Sequence, residues 1–80
     1  MLRPNIPSDS RQNKILKAFK KIGFEILPPN RGHGSHRVVR CPKTGEEITV
    51  QHKIYKVVIK DYCKNVDELG YDVIRFIKYL

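Results

Sequence analysis

The sequence predicts an α+β fold in two layers: an α-β-β-β-α order with a short C-terminal helix, the strands forming one three-stranded antiparallel sheet. Three observations predict it. Apolar residues recur at three- and four-residue spacing in two separate stretches, residues 11–22 and 58–69. Between them lie three short segments that read as strands, broken by Pro- and Gly-containing turns. The chain has 80 residues and 40% apolar side chains, enough for one small core. That length excludes a dinucleotide domain with a substrate domain, and it excludes an eight-fold barrel.

Residues 1–9 contain Pro4 and Pro7 and no periodicity, which predicts a flexible arm before a single domain spanning residues 10–80. Ser10, with Asp9 as the alternative, is the expected N-cap of a first helix over residues 11–22. On that helix Ile15, Leu16, Ala18, Phe19 and Ile22 form one stripe, with Lys14, Lys17, Lys20 and Lys21 outside it. Lys20 and Lys21 favour the negative end of the dipole, and Gly23 supplies the C-cap. Residues 24–27 read as a strand that Pro28 and Pro29 end. A loop of Pro, Asn and Gly covers residues 28–35, and a second strand runs from His36 or Arg37 to Cys41. Residues 42–45, Pro-Lys-Thr-Gly, form a tight turn into a third strand over residues 46–52, with Ile48, Val50 and His52 on one face.

The segment Val57-Val58-Ile59 would suit a strand by its β-branching alone. Ile59, Tyr62, Cys63, Val66 and Leu69 continue at helical spacing, however, so the longer period predicts a helix over residues 58–69 ended by Gly70. Asp72 then caps a last helix with Val73, Phe76, Ile77 and Leu80 on its apolar side.

The charge is unevenly placed. Residues 1–56 hold 12 Lys and Arg against four acidic residues, and residues 57–80 hold four of each sign, so the net +8 lies in the first 56 residues. Such one-sided basicity is the footprint of a polyanion binder, with a merely solvated surface as the competing reading. Cys41 and Cys63 read as two small buried thiols of a cytoplasmic protein. No signal-peptide-like apolar stretch follows Met1, and no apolar run has membrane-spanning length, so no membrane partner is expected.

The loop Arg31-Gly32-His33-Gly34-Ser35-His36 carries the most chemistry. Gly and Ser can present backbone N–H groups to a phosphate, and an imidazole titrates near neutral pH. RNA cleavage needs a proton taken from a 2′-OH, a proton given to the leaving 5′-oxygen, and cations near the developing charge. His33 and His36 flank this pocket as candidates for the proton transfers, with His52 as a possible further catalytic support. Gly34, Ser35, Arg31, Arg37, Arg40, Lys53, Lys17 and Lys21 are candidate RNA or phosphate contacts. A flexible Gly-His-Gly turn without catalytic role is the alternative. His52 belongs either at the sheet's end near His36 or among partly buried structural groups. Tyr55 has a ring that could stack on a base, while Tyr62, Tyr71 and Tyr79 read equally well as core residues. The His33/His36/His52 spacing fits no strong metal pattern, so neither metal nor cofactor is expected. Ser35 lacks an acidic orienter and is no serine nucleophile.

In their order, these features resemble the HicA (YcfA-like) family of mRNA interferase toxins over residues 10–80. The Lys-rich helix ends in Gly23-Phe24-Glu25, Gly34-Ser35-His36 matches the family's Gly-Ser-His motif, and Thr49-Val50-Gln51-His52 is similar to its second histidine-bearing strand end. The resemblance implies a fold like the double-stranded RNA-binding domain. It further implies metal-independent endonuclease cleavage of mRNA, His36 as the catalytic residue and a HicB-like antitoxin as protein partner. The chain departs from the family pattern in the extra His33, in Lys53 after His52, and in Ile59-Lys60-Asp61 where the family often carries Pro-Gly. Two other readings of the same residues are a non-catalytic RNA-binding module and a module for an acidic protein partner.

Overall fold

The computed structural model of the chain describes residues 9–29 and 36–80, with the side chains of Asp9 and Ser10 left aside. The elements run β1 (Asp9–Arg11), α1 (Gln12–Lys21), β2 (Glu25–Ile26), β3 (Arg37–Arg40), β4 (Glu47–Val50), β5 (Lys53–Tyr55), α2 (Lys56–Glu68) and α3 (Val73–Lys78). β2, β3 and β4 form the expected three-stranded antiparallel sheet in that order. Glu25 faces Arg40 and Ile26 faces Val39 across one seam, and Arg37 faces Val50 and Val39 faces Ile48 across the other. The helix–three strands–helix–short helix order is therefore the observed one.

A second, two-stranded sheet is an addition to that order. β1 pairs antiparallel with β5, matching Asp9 to Tyr55, Ser10 to Ile54 and Arg11 to Lys53. This ribbon corrects three expectations. The backbone of Arg11 is extended (φ −97, ψ 149) because it serves the ladder, so Arg11 takes the N-cap position in place of Ser10 or Asp9 and α1 begins at Gln12. The third sheet strand stops at Val50, and the chain bends at His52 before entering β5, so His52 is not a face-mate of Ile48 and Val50. Finally, α2 starts directly from β5 at Lys56, two residues earlier than the apolar spacing indicates.

One core joins all layers. Ile15, Leu16, Ala18 and Phe19 of α1 meet Val39, Ile48 and Val50 of the sheet, Ile59, Tyr62, Cys63 and Val66 of α2, and Phe76 and Ile77 of α3. The buried spacing on both long helices is the one the apolar periodicity predicts. Phe19 sits at the centre, with ring centroids 4.7 Å from Phe76, 5.0 Å from Phe24 and 5.7 Å from Tyr62. Cys41 and Cys63 are both free thiols and buried. Gly23 turns the chain out of α1 at φ +111, a conformation that side-chain-bearing residues rarely adopt. Asp72 Oδ1 accepts from the Arg75 N–H at 3.1 Å, the expected cap of α3. Among the described residues no helix is long and apolar enough to cross a membrane.

Candidate active site at one end of the sheet

β3 begins and β4 ends at the same edge of the sheet, because Arg37 and Val50 are Cα partners. His36 immediately precedes Arg37, and His52 follows Val50 by two residues, so these two histidines, 16 residues apart in sequence, lie at the same end of the sheet. His36 is half-buried and His52 is exposed. Of the two sequence readings of His52, the structure supports the one at the sheet's end. Arg31, His33, Gly34 and Ser35 lie outside the described residues.

Three side chains hold this end in shape. Gln12 Nε2 donates to the Val50 carbonyl at 3.1 Å and ties the first turn of α1 to β4. Arg37 Nη2 donates to the Leu27 carbonyl at 3.4 Å, while its buried Nε meets no hydrogen-bond acceptor among the described residues. The Tyr62 hydroxyl, carried by α2, donates to the Thr49 carbonyl at 2.9 Å and accepts from the Gln51 N–H at 3.3 Å. It thus fixes the last strand residues just before His52 and occupies backbone groups that a short strand edge would otherwise leave open.

Burial pushes the Tyr62 phenol above its ordinary value of 10.0, and the charge of Asp61 adds to this, while the Gln51 N–H opposes it. The folded-state value exceeds the unfolded one, so this contribution to stability is whole below pH 10 and is lost as pH rises through the folded value. Tyr62→Phe is expected to lower stability by about 1–3 kcal/mol at pH 7, because two backbone groups lose their partner. It is also expected to flatten the alkaline loss of stability. Urea unfolding at pH 7 and at pH 10.5 measures both effects, and an unchanged midpoint at pH 7 would show that the hydroxyl adds nothing.

The remaining candidates are dispersed. Arg40 lies at the far end of β3, four residues from His36 or about 13 Å along an extended strand. Its guanidinium is paired with Glu47 at 3.2 Å and Glu25 at 3.9 Å. Lys17 and Lys21 are exposed on α1, with Lys21 Nζ 5.9 Å from the Tyr79 ring centroid. Tyr55 is 56% exposed at the start of α2, whereas Tyr62 is buried.

Beside His52 the ribbon creates a groove of about 400 Å³, lined among the described residues by Arg11, Gln12, Asn13, His52 and Lys53. Arg11, Gln12 and Asn13 carry no motif signal. Their place beside Lys53 depends on the β1–β5 pairing, and the only sequence clue is that Arg11 stands at a helix start.

Comparisons find no protein family, no curated protein and no solved structure that matches this chain. What the fold itself establishes is a small α+β domain.

Proposed function

We propose that this chain is a metal-independent endoribonuclease acting on mRNA, the toxin of a toxin–antitoxin pair similar to the HicA (YcfA-like) family, with a HicB-like protein as its partner. The observation that carries the reading is the gathering of His36 and Arg37, which directly follow the Gly34-Ser35 pair in sequence, with His52 and Lys53 at one end of the sheet.

In this reading the RNA supplies its own nucleophile. The 2′-oxygen attacks the adjacent phosphorus and gives up its proton, and the bond from phosphorus to the 5′-oxygen breaks as that oxygen gains a proton. The products are a 2′,3′-cyclic phosphate and a 5′-hydroxyl. His36 serves as the general acid or base, and Arg37 and Lys53 hold the backbone against the charge that develops on the phosphoryl oxygens. His52 and His33 are the candidates for the second proton transfer. Gly34, Ser35 and Arg31 position the phosphate, and Lys17 and Lys21 add affinity without base preference. The two free thiols suit a reducing cytoplasm.

The exposed lysines of α1 and the exposed Tyr55 ring also favour a second reading, an RNA-binding module without catalysis. Long incubation of a mixed-sequence single-stranded RNA in excess chelator separates the two. Shortened RNA is the expected result. Salt-sensitive binding with intact RNA would replace the nuclease reading by the binding one.

A further inference from the structure

We propose that the groove between the start of α1 and the β4–β5 bend is a second phosphate site. It would take a backbone phosphodiester of the same RNA strand, next to the one at His36. The proposal rests on the RNA reading above and extends it to Arg11 and Asn13, which no motif indicates.

The argument starts from the ribbon. Arg11 and Lys53 are Cα partners, so two like charges stand side by side on one face of a two-stranded sheet. Like charges directly opposite each other oppose pairing. The ion pairs among the described residues, Arg40 with Glu25 and with Glu47, involve neither of them. Both side chains instead line the 400 Å³ groove together with His52, Asn13 and Gln12, and no described carboxylate lines it. An anion seated there turns the repulsion between Arg11 and Lys53 into two attractions. Arg offers a planar fork of donors that matches phosphate oxygens, and Lys offers a compact charge. The same groove adjoins the first turn of α1, which has no acidic residue, so its backbone N–H groups add to the positive field.

The lining also selects the kind of anion. Arg11, Asn13, His52 and Lys53 are exposed, and no described Phe, Tyr or Trp ring lines the groove to hold a base. The site therefore reads charge on a strand passing over the surface and leaves the bases unread. His52 belongs both to this groove and to the sheet end that carries His36, which makes the two phosphate positions neighbours on one strand.

The test is anisotropy titration of labelled single-stranded 2′-O-methyl RNA, which lacks the nucleophile, over a series of salt concentrations. The proteins are wild type, R11Q/K53Q, and K64Q/K78Q as a control that changes exposed lysines outside the groove. For R11Q/K53Q the slope of log K against log salt is expected to become less steep by about 0.7–1.4, to the same extent for different base sequences. K64Q/K78Q is expected to keep the wild-type slope. In wild type, the amide resonances of Gln12, Asn13 and His52 should shift on addition of the strand, a readout that does not depend on the variant folding. If wild type binds RNA, yet R11Q/K53Q keeps the full slope and these amides do not move, the groove is overturned and the RNA reading stands. If wild type binds no strand at all, the RNA reading fails and the groove falls with it.

Discussion

His36→Ala is expected to lower the rate of RNA cleavage by about 10²–10⁴-fold, the usual worth of one positioned general acid or base. Its effect on folding should be small by comparison. His36 stands just before the first residue of β3 and is half-buried, outside the cluster of core side chains. The ladder that follows it begins at Arg37 and does not need the imidazole. The expected pattern is therefore an unchanged thermal midpoint, RNA binding retained within a few-fold, and cleavage lost. Binding can persist because the cations of this end, Arg37, Lys53 and Arg11, remain in place. A variant that cleaves as fast as wild type would remove His36 from the mechanism. A variant that unfolds would assign it a structural role instead.

Phe19→Ala is expected to be the most damaging single change to the fold. Its ring is fully buried at the junction of α1, α2, α3 and the segment after α1, in contact distance of Phe24, Tyr62 and Phe76. Truncating such a ring costs about 3–5 kcal/mol in lost transfer energy and residual cavity. A domain of this length has only about 4–12 kcal/mol in total. At about 4–8 °C per kcal/mol for a domain of this size, the midpoint should fall by some 12–40 °C. Differential scanning calorimetry measures it directly. A fall of less than about 5 °C would mean that the neighbouring rings collapse into the space, and that the aromatic cluster is not the keystone its geometry indicates.

The helices and the main sheet were legible because each carries its own period. Ile15, Leu16, Phe19 and Ile22 repeat on one side of α1, and Ile59, Tyr62, Cys63 and Val66 on one side of α2, and these are the residues that are buried. Ile48 and Val50 alternate with exposed Glu47 and Thr49 on β4 in the same way. The β1–β5 ribbon was not legible. Three residues are too few for an alternating pattern to stand out, and Ile54 is the only buried apolar residue that its described side chains contribute. That omission accounts for the others. With Arg11 required by a ladder, Ser10 loses its place as a helix cap, and with the Lys53 backbone paired to that of Arg11, the third sheet strand ends before His52. The start of α2 was missed because Val57 is 66% exposed, so its apolar character says nothing about the helix phase.

Of the candidate site, His36 and His52 stood out by residue type, and their place at one end of the sheet follows from the strand register, while Gly34 and Ser35 lie outside the described residues. The contribution of Arg11 and Asn13 depends on residues about 40 positions apart being joined by backbone pairing, which no local pattern announces. Arg40 illustrates the opposite case. It looked like a phosphate ligand by charge and proximity in sequence, and the strand register sets it beside Glu25 and Glu47 instead.

The central claim is that the RNA's own 2′-hydroxyl is the nucleophile and that His36 moves a proton in that step. Its most direct test is the chemistry of the ends left on a short RNA of defined sequence, after incubation with wild type and with H36A in chelator. The account predicts a 2′,3′-cyclic phosphate and a 5′-hydroxyl from wild type and intact RNA from H36A. A 3′-hydroxyl end from wild type, or the same cyclic products from both proteins at equal rates, would contradict it.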